Sequence, residues 1–179
     1  MPKPGRMNLP ERVGEPREVD YSGQSPDFGP LARDRIPVRS MKEGDLKALT
    51  AIDRRITGRD RTRYFERKLA EAMHESDIRV SLVAEIGGVP VGFIMARVDL
   101  GEYGRSEAAA VMDTIGVDPD YRDYGVGRAL LSQLLANLST LRVEKLLTEV
   151  GWSERELVAF LDRCGFTPSP RLCFDLVLR

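Results

Sequence analysis

The sequence predicts an α/β fold built on a mixed sheet, and three observations support this class. The chain has 179 residues, of which 42% are hydrophobic, so one domain with a sizeable core is expected. Apolar runs typical of strands and segments of helical periodicity follow one another in the order β-α-α-β-β-β-α-β-α-β. Hairpins in the middle require antiparallel pairs, whereas a β-α-β crossover in the second half requires a parallel pair.

The patterned part of the chain begins at residue 36. Residues 1–35 are rich in proline, glycine and charged side chains and show no sustained periodicity, so we interpret them as an extension without its own core. Residues 36–179 are therefore expected to form the domain. Its first strand is IPVRSM, and Ser40 and Glu43 stand in capping-box spacing before the first helix.

Two helices and a hairpin occupy the first half of the domain. The first helix is indicated by side chains at helical spacing, with one polar exception: Leu46, Leu49, Ile52, Asp53 and Ile56. The second helix, RDRTRYFERKLAEAMHES, repeats this spacing. The strands IRVSLVAEI and VPVGFIMARVDL flank Gly87 and Gly88, which fit a two-residue hairpin turn.

The second half alternates strands and helices. The strand AAAVMDTIGV leads to the helix GVGRALLSQLLANLSTL, and the strand VEKLLTEV leads to the helix ERELVAFLDRC. Ser153 and Glu156 have the spacing of a capping box at the start of that last helix. The run LCFDLVL, at residues 172–178, is expected to close the sheet as a final strand.

Composition and charge argue against several classes of function. The net charge of -1 provides no overall field for nucleic acid or for an anionic membrane. No apolar run approaches the roughly 18 residues of a membrane span, and the first residues lack the apolar core of a signal peptide, so a cytoplasmic location is expected. The spacing of Cys164 and Cys173 fits neither a disulfide framework nor a zinc site, and His74 is the single histidine, so no metal site is expected.

The segment DPDYRDYGVG, between a strand and a helix, has the composition of an anion site. Asp118 and Pro119 end the strand because proline has no amide to donate. The helix then begins near Gly125, where its first amides have no acceptor in the helix and carry the positive end of the helix dipole. Glycines at 125 and 127 permit close approach and Arg122 adds a positive charge, so a phosphate or pyrophosphate site is predicted.

The spacing separates this loop from two other phosphate-binding motifs. A P-loop requires lysine where this chain has Arg128, and a dinucleotide-binding fingerprint requires a third glycine where it has Leu130. The pattern Arg-x-x-Gly-x-Gly followed by an apolar helix resembles the acetyl-CoA-binding motif of the GNAT N-acetyltransferase family. The stretch IGVDPDYR before the motif, and FLDRCGF at residues 160–166, are also similar to this family.

The resemblance implies a fold and a cofactor. Members of this family have a mixed, mainly antiparallel sheet with helices on both faces, and a β-bulge and splay between the fourth and fifth strands at the cofactor site. The pantetheine arm of acetyl-CoA is expected between the splayed strands, and its pyrophosphate at the loop amides. The implied cofactor-binding positions are Ile115, Gly116, Val117, Arg122, Asp123, Tyr124, Gly125, Val126, Gly127 and Arg128.

Two carboxylates are candidates for the base that acetyl transfer requires, because an ammonium acceptor must lose a proton before it attacks. Glu149 comes first, since its distance from Gly165 and Phe166 matches the spacing of a catalytic glutamate in the ribosomal-protein N-terminal acetyltransferases of this family. Asp113, on the fourth strand, comes second. The other interpretation is a solvated strand-end carboxylate for Glu149 and a surface or hydrogen-bonding strand residue for Asp113.

The resemblance is incomplete at two positions of the last helix. Many relatives carry a tyrosine there as the acid for the leaving thiolate; the matching residue is Leu161, which is expected to face the cleft. Many also carry an asparagine near the helix start, where this chain has Glu154. The proton donor to the leaving thiolate is then water or Tyr124, or the thiolate departs without an acid. Two functions stay open: acetyl transfer to a primary amine of a protein or small molecule, or a catalytically weak acyl-CoA-binding module that regulates a partner.

The acceptor site is weakly specified. The segment at residues 53–65 falls where this family lines the acceptor site, and it carries Arg54, Arg55, Arg59, Arg61 and Arg63. These side chains either attract an acidic acceptor or form a solvated basic face. Trp152 and Tyr103 either line the acceptor pocket or pack as ordinary aromatic residues. A homodimer is compatible with the sequence.

Overall fold

A five-stranded sheet forms the centre of the protein. The computed structural model describes residues 36–74, 78–99, 108–171 and 174–177. The strands are β1 (Val38–Ser40), β2 (Arg79–Ile86), β3 (Val89–Asp99), β4 (Ala109–Val117) and β5 (Lys145–Leu147). They lie in sequence order, with antiparallel pairing from β1 to β4 and a parallel pair between β4 and β5. The mixed, mainly antiparallel sheet expected from the sequence is confirmed.

Helices cover both faces of this sheet. They are α1 (Leu46–Thr57), α2 (Thr62–His74), α3 (Val126–Thr140) and α4 (Arg155–Arg163). α3 and α4 contribute to the core on one face, and α1 and α2 form a second core on the other. Short 3-10 helices at Glu43–Asp45 and Pro119–Tyr121 precede α1 and α3. Within the described part of the chain, none of the helices is long and apolar enough to cross a membrane.

Each core is centred on a few fully buried side chains. On the α3 face, Leu130 and Leu134 are one turn apart and are both 0% exposed, so this helix presents a continuous apolar stripe to the sheet. On the other face, Phe65 of α2 and Phe93 of β3 contact edge to face, with ring centroids 5.4 Å apart. The two cores hold the sheet between them.

The predicted hairpin turn joins β2 and β3. Gly87 and Gly88 have φ angles of 60° and 77°. Both central residues of the favoured two-residue turn need a positive φ, which glycine adopts without strain. Ile86 and Val89 pair directly across the turn, so the hairpin prediction is confirmed.

An irregularity in β4 and an early end to its pairing with β5 create an opening in the sheet. The register between β3 and β4 shifts by one residue and leaves Asp113 as the extra residue of a β-bulge. β5 pairs only with residues 109–111 of β4. The edge of β4 at residues 112–117 therefore faces no strand among the described residues. This gap, between residues 112–117 and the chain that follows β5, is called the splay below, and it agrees with the expected fold.

The predicted closing strand at residues 172–178 is wrong for its described part. Residues 174–177 form no strand, and the side chains of Phe174, Leu176 and Val177 are exposed. An alternating apolar segment becomes a strand only beside a partner, and β5 offers an edge of just three residues. The preceding strand is shorter than VEKLLTEV for a related reason, because the chain leaves β4 after Leu147.

Both predicted capping boxes are replaced by other contacts. The turn before α1 begins after Lys42, so Ser40 is not its N-cap. The carboxylate of Asp45 instead accepts the Lys42 amide at 2.7 Å and a bidentate pair from Arg39 at 2.7 and 2.8 Å. The start of α4 has Glu154, and not Ser153, as its N-cap. The Asp45 carboxylate thus caps the turn before α1, in the role that the spacing assigned to Glu43.

The packing around Gly92 of β3 gives a stability prediction. A β-carbon there would lie 2.8 Å from Val126 Cγ1 and 3.0 Å from the Gly116 carbonyl oxygen. We expect Gly92→Ala to lower the free energy of unfolding by about 1–3 kcal/mol, because the neighbouring backbone cannot move without disturbing the sheet. Urea unfolding measures the change. Gly44→Ala is the matched control, since no atom lies within 4 Å of its β-carbon; equal losses in both variants would contradict the prediction.

The Arg39–Asp45 pair gives a pH prediction. The guanidinium of Arg39 holds the pKa of Asp45 below its ordinary value. A carboxyl group with a lowered folded-state pKa stabilises the protein above its unfolded pKa of about 3.9, and the stabilisation is lost as the pH falls through the folded pKa. Asp45→Asn should lower the free energy of unfolding by about 1–3 kcal/mol at neutral pH. Urea unfolding across the acid range should show a smaller acid-induced loss in the variant; parallel curves would exclude this linkage.

Candidate active site

β4 ends at the position that the sequence predicts. The Asp118 amide donates to the Val91 carbonyl at 2.8 Å, which completes the ladder with β3. Pro119 then begins a 3-10 helix, and the Asp118 carboxylate accepts the Asp120 amide at 3.0 Å. The chain turns away from the sheet here because proline cannot donate to another strand.

The loop reaches α3 through two residues with positive φ. Asp123 has a φ of 65° and Gly125 a φ of 84°. The first backbone hydrogen bond of the helix runs from the Ala129 amide to the Gly125 carbonyl at 2.9 Å, so the amides of residues 126–128 have no acceptor in the helix. No atom lies within 4 Å of a β-carbon at Gly125. The start of α3 is therefore open to an anion.

α4 supports this loop through two contacts that the sequence did not indicate. A β-carbon at Gly127 would lie 3.2 Å from the Phe160 ring, so the ring packs closely because residue 127 is glycine. Arg122 Nη1 donates to the Glu156 carboxylate at 3.0 Å. The side chains of this pair are 47% and 86% exposed, so solvent screens the interaction and Arg122 can turn to a phosphate at little cost.

α1 supports the loop from a second direction. The Arg55 guanidinium lies 2.5 Å from the Asp118 carboxylate and 2.9 Å from the Asp120 carboxylate. Arg55 belongs to the last turn of α1, and both aspartates belong to the loop before α3. The end of one helix and the approach to another are thus connected by one side chain.

The free edge of β4 presents backbone groups to the splay. The Asp118 amide points toward β3, so alternation along the antiparallel strand directs the backbone groups of Ile115 and Val117 to the opposite edge. That edge has no partner strand in the described residues, and unpaired backbone groups of this kind accept an extended ligand. Gly116 lies between them, and packing explains the absence of a side chain there, because a β-carbon would lie 2.7 Å from the Phe93 ring.

The two candidate bases lie at the closed end of the splay. Asp113 and Glu149 each stand two residues beyond the last β4–β5 pair. A 3.0 Å hydrogen bond from Thr148 Oγ1 to the Met112 carbonyl joins β4 to the segment that follows β5 at this point. Glu149 is exposed, whereas the Asp113 carboxylate contacts Lys68 Nζ at 2.9 Å. Both residues thus stand at the closed end of the splay, with Glu149 exposed and Asp113 ion-paired.

Leu161 lies in the core, so the expectation that it faces the cleft is wrong. Its side chain is 6% exposed and belongs to the α3-face cluster. The apolar face of α4 carries Leu161 into this cluster, and the preceding residue, Phe160, lies beside Gly127. Gly127 belongs to the segment at residues 122–128, where the sequence predicts a phosphate site and which is called the phosphate loop below. Glu154, the second departure from the family pattern, accepts the Gly151 amide at 3.2 Å.

The five arginines of the predicted acceptor region divide into two groups. Arg55 and Arg61 are held in ion pairs with carboxylates of the same domain. The others have exposed side chains: Arg54, Arg59 and Arg63. Trp152 is fully exposed. Tyr103 lies outside the described residues.

A polar cluster beside Asp113 was missed by sequence reasoning. Lys68 of α2 pairs with Asp113, and Tyr64 stands one helical turn before Lys68 on the same face. The only local signal is the four-residue spacing of these two side chains, which does not reveal that β4 lies beneath them. Cys164 is a different case: it is a free, buried thiol, and burial raises its pKa, so it is a poor nucleophile.

A family model described as the Acetyltransferase (GNAT) family matches residues 46–166. No curated protein matches the sequence. The structure of the ribosomal-protein-S18-alanine N-acetyltransferase from Escherichia coli is similar with a TM-score of 0.62 and 26% identity, over 75% of this chain and 79% of that chain.

Two further structures are similar in fold. The aminoglycoside N-acetyltransferase AAC(6')-Iy, in complex with the bisubstrate analog CoA-S-monomethyl-acetylneamine, has a TM-score of 0.68 and 16% identity, over 80% of this chain and 99% of that chain. The ribosomal-protein-alanine N-acetyltransferase from Brucella melitensis biovar Abortus 2308 has a TM-score of 0.63 and 18% identity, over 80% and 99%.

Proposed function

The chain belongs to the GNAT acetyltransferase family, and from this premise we propose that it transfers the acetyl group of acetyl-CoA to a primary amine of a protein or small molecule. The observation that carries the proposal is an anion-accepting helix start directly beside a splayed strand edge. A CoA thioester has the two matching parts, a pyrophosphate and an extended pantetheine arm that contains amides.

Each part of the thioester has a proposed set of contacts. The amides from Tyr124 to Arg128 hold the pyrophosphate at the positive end of α3, and Arg122 adds a counter-charge. The backbone groups of Ile115 and Val117 pair with the pantetheine arm as with an added strand. The edge of β4 from residue 117 back to 112 spans about 17 Å. An extended arm that starts at the loop then ends near the bulge.

The acceptor is proposed from the relatives. The Escherichia coli enzyme is named for an alanine of a ribosomal protein, and AAC(6')-Iy is named for aminoglycosides. Both types of acceptor carry an amine.

Glu149 is the proposed base. It is exposed and stands at the closed end of the splay, where the acetyl end of the arm would arrive. A carboxylate there accepts a proton from the ammonium acceptor, directly or through water, and returns it to solvent. Asp113 is less suited to this step because Lys68 already engages its carboxylate. We assign Asp113 the role of holding α2 against the bulge.

The burial of Leu161 favours a second candidate function, a catalytically weak acyl-CoA-binding module that regulates a partner. With Leu161 in the core, α4 offers no proton donor at the position where many relatives have one. Thiol release from acetyl-CoA, measured with a panel of amines, peptides and small metabolites, separates the two functions. Release that depends on an acceptor identifies the enzyme, and tight binding without release identifies the module.

A substitution in the phosphate loop tests cofactor binding. We expect Gly125→Glu to abolish acetyl-CoA binding, because the carboxylate would occupy the anion site and repel the pyrophosphate. Gly125→Ala is the control: it introduces the same backbone strain at a φ of 84°, about 1–2 kcal/mol, without the charge. Isothermal titration calorimetry should show a large loss only for Gly125→Glu. A folded Gly125→Glu protein with parental affinity would refute the loop assignment.

A second substitution tests the base. Glu149→Gln should lower turnover on the order of 10²-fold or more, with little change in acetyl-CoA affinity. The rate should recover toward high pH, where the amine is already neutral. Steady-state kinetics across pH measure this, with Glu144→Gln as the control, since Glu144 is another exposed carboxylate just before β5. A Glu149→Gln variant as fast as the parent at neutral pH would move the role to Asp113 or to water.

A further inference from the structure

The pairing between β4 and β5 stops at a definite residue. The last pair of the register is Val111 opposite Leu147. One further pair would place Met112 opposite Thr148. Because hydrogen bonds in a parallel ladder are slanted, the Met112 carbonyl would then accept the amide of the residue after Thr148, which is Glu149. A continued strand would thus bring a main-chain amide to this carbonyl.

A side-chain hydroxyl takes the place of that amide. Thr148 Oγ1 donates to the Met112 carbonyl at 3.0 Å, in a partly buried position. The carbonyl therefore has a partner without a further rung of the ladder. Since a side chain and not an amide joins the two backbones here, they separate from this residue onward.

The side chain of Thr148 departs from the pattern of a regular strand. Alternate residues of a strand point to the same face. Leu146 and Val150 both pack against the core on the α3 face, so a continued strand would direct Thr148 to that core as well. Its hydroxyl instead reaches the edge of β4. An apolar side chain at this position could not satisfy the Met112 carbonyl.

Glu149 lies immediately beyond this hydrogen bond. Its amide is outside the ladder, and its side chain is exposed. A further rung would bring that amide to the Met112 carbonyl, shorten the splay by one residue and make residue 149 part of β5. In the proposed function the thioester end of the arm arrives here, and a displacement of about 1 Å at a reacting group costs on the order of 10²-fold in rate.

We propose that Thr148 is a positioning residue, whose hydroxyl stops the β4–β5 ladder at Leu147 and thereby holds Glu149 at the closed end of the splay. The catalytic consequence rests on the proposed function, whereas the stop itself does not. Thr148 transfers no proton in the reaction, because its hydroxyl is bonded to the Met112 carbonyl. It acts through the position of the residue that follows it.

Backbone amide exchange tests the stop without any substrate. Thr148→Val keeps the branched shape of the side chain but removes the hydroxyl. The Met112 carbonyl then pairs with the Glu149 amide, so the exchange of that amide should slow by about 10-fold or more relative to the parent. Hydrogen exchange followed by NMR measures this, and Thr148→Ser, which keeps the hydroxyl, should exchange as the parent does. Equal exchange of Glu149 in the parent and in Thr148→Val would overturn the proposal.

Kinetics test the consequence for the reaction. Thr148→Val should lower kcat on the order of 10- to 100-fold, while calorimetric affinity for acetyl-CoA stays close to the parental value. Thr148→Ser should recover most of the parental kcat. Thr140→Val is the matched control, because Thr140 Oγ1 donates to the Ala136 carbonyl at 3.1 Å in the last turn of α3. A Thr148→Val protein with parental kcat, or a serine variant as slow as the valine variant, would contradict the proposal.

A double variant separates an effect through Glu149 from a general loss of structure. In a Glu149→Gln background, Thr148→Val should lower kcat no further, because the side chain that it positions has already lost its function. A second loss of similar size would overturn the proposal. If Thr148→Val does not fold, the same exchange and rate comparisons with Thr148→Ala decide the matter. A parent protein inactive with every amine would instead refute the proposed function, and the exchange test would still decide whether Thr148 stops the ladder.

Discussion

The short parallel pairing between β4 and β5 is the constraint on which the site depends. β4 pairs with β3 along its whole length, apart from the bulge, but it pairs with β5 through only three of its residues. Beyond them, the backbone groups of Ile115 and Val117 point to an edge with no described partner strand. Backbone groups at such an edge are available to pair with an extended ligand. The free edge of β4 is therefore a consequence of where the pairing stops.

Close approach of elements at glycine positions completes this arrangement. Gly92 lets α3 settle on the sheet, Gly116 leaves room for Phe93, and Gly127 admits the ring of Phe160. Each contact joins parts of the chain that are distant in sequence, and in each case a β-carbon would lie 3.2 Å or less from its neighbour. The start of α3 is thus positioned by packing on both sides. The open start of this helix therefore depends on the same contacts as the core.

Local patterns in the sequence were sufficient for most of the helices and strands and for two of the turns. The turn at Gly87 and Gly88 was predictable because its φ requirement is local, and the strand end before Pro119 was predictable for the same reason. The final strand was not, since strand formation depends on a partner edge that periodicity does not report. The orientation of Leu161 and the Lys68–Asp113 pair depend on which helix face packs against which strand. Local sequence patterns do not determine that packing.

Arg55 connects α1 to the segment that precedes α3. Its guanidinium joins the end of α1, in the region proposed to line the acceptor site, to Asp118 and Asp120, which lead into the phosphate loop. A ligand that shifts the loop must strain or break this bridge and so changes the free energy of the α1 side. Thermodynamic linkage makes the effect reciprocal: whatever factor cofactor binding imposes on acceptor affinity, acceptor binding imposes on cofactor affinity. Any such coupling between the loop and the α1 side then passes through a single surface arginine.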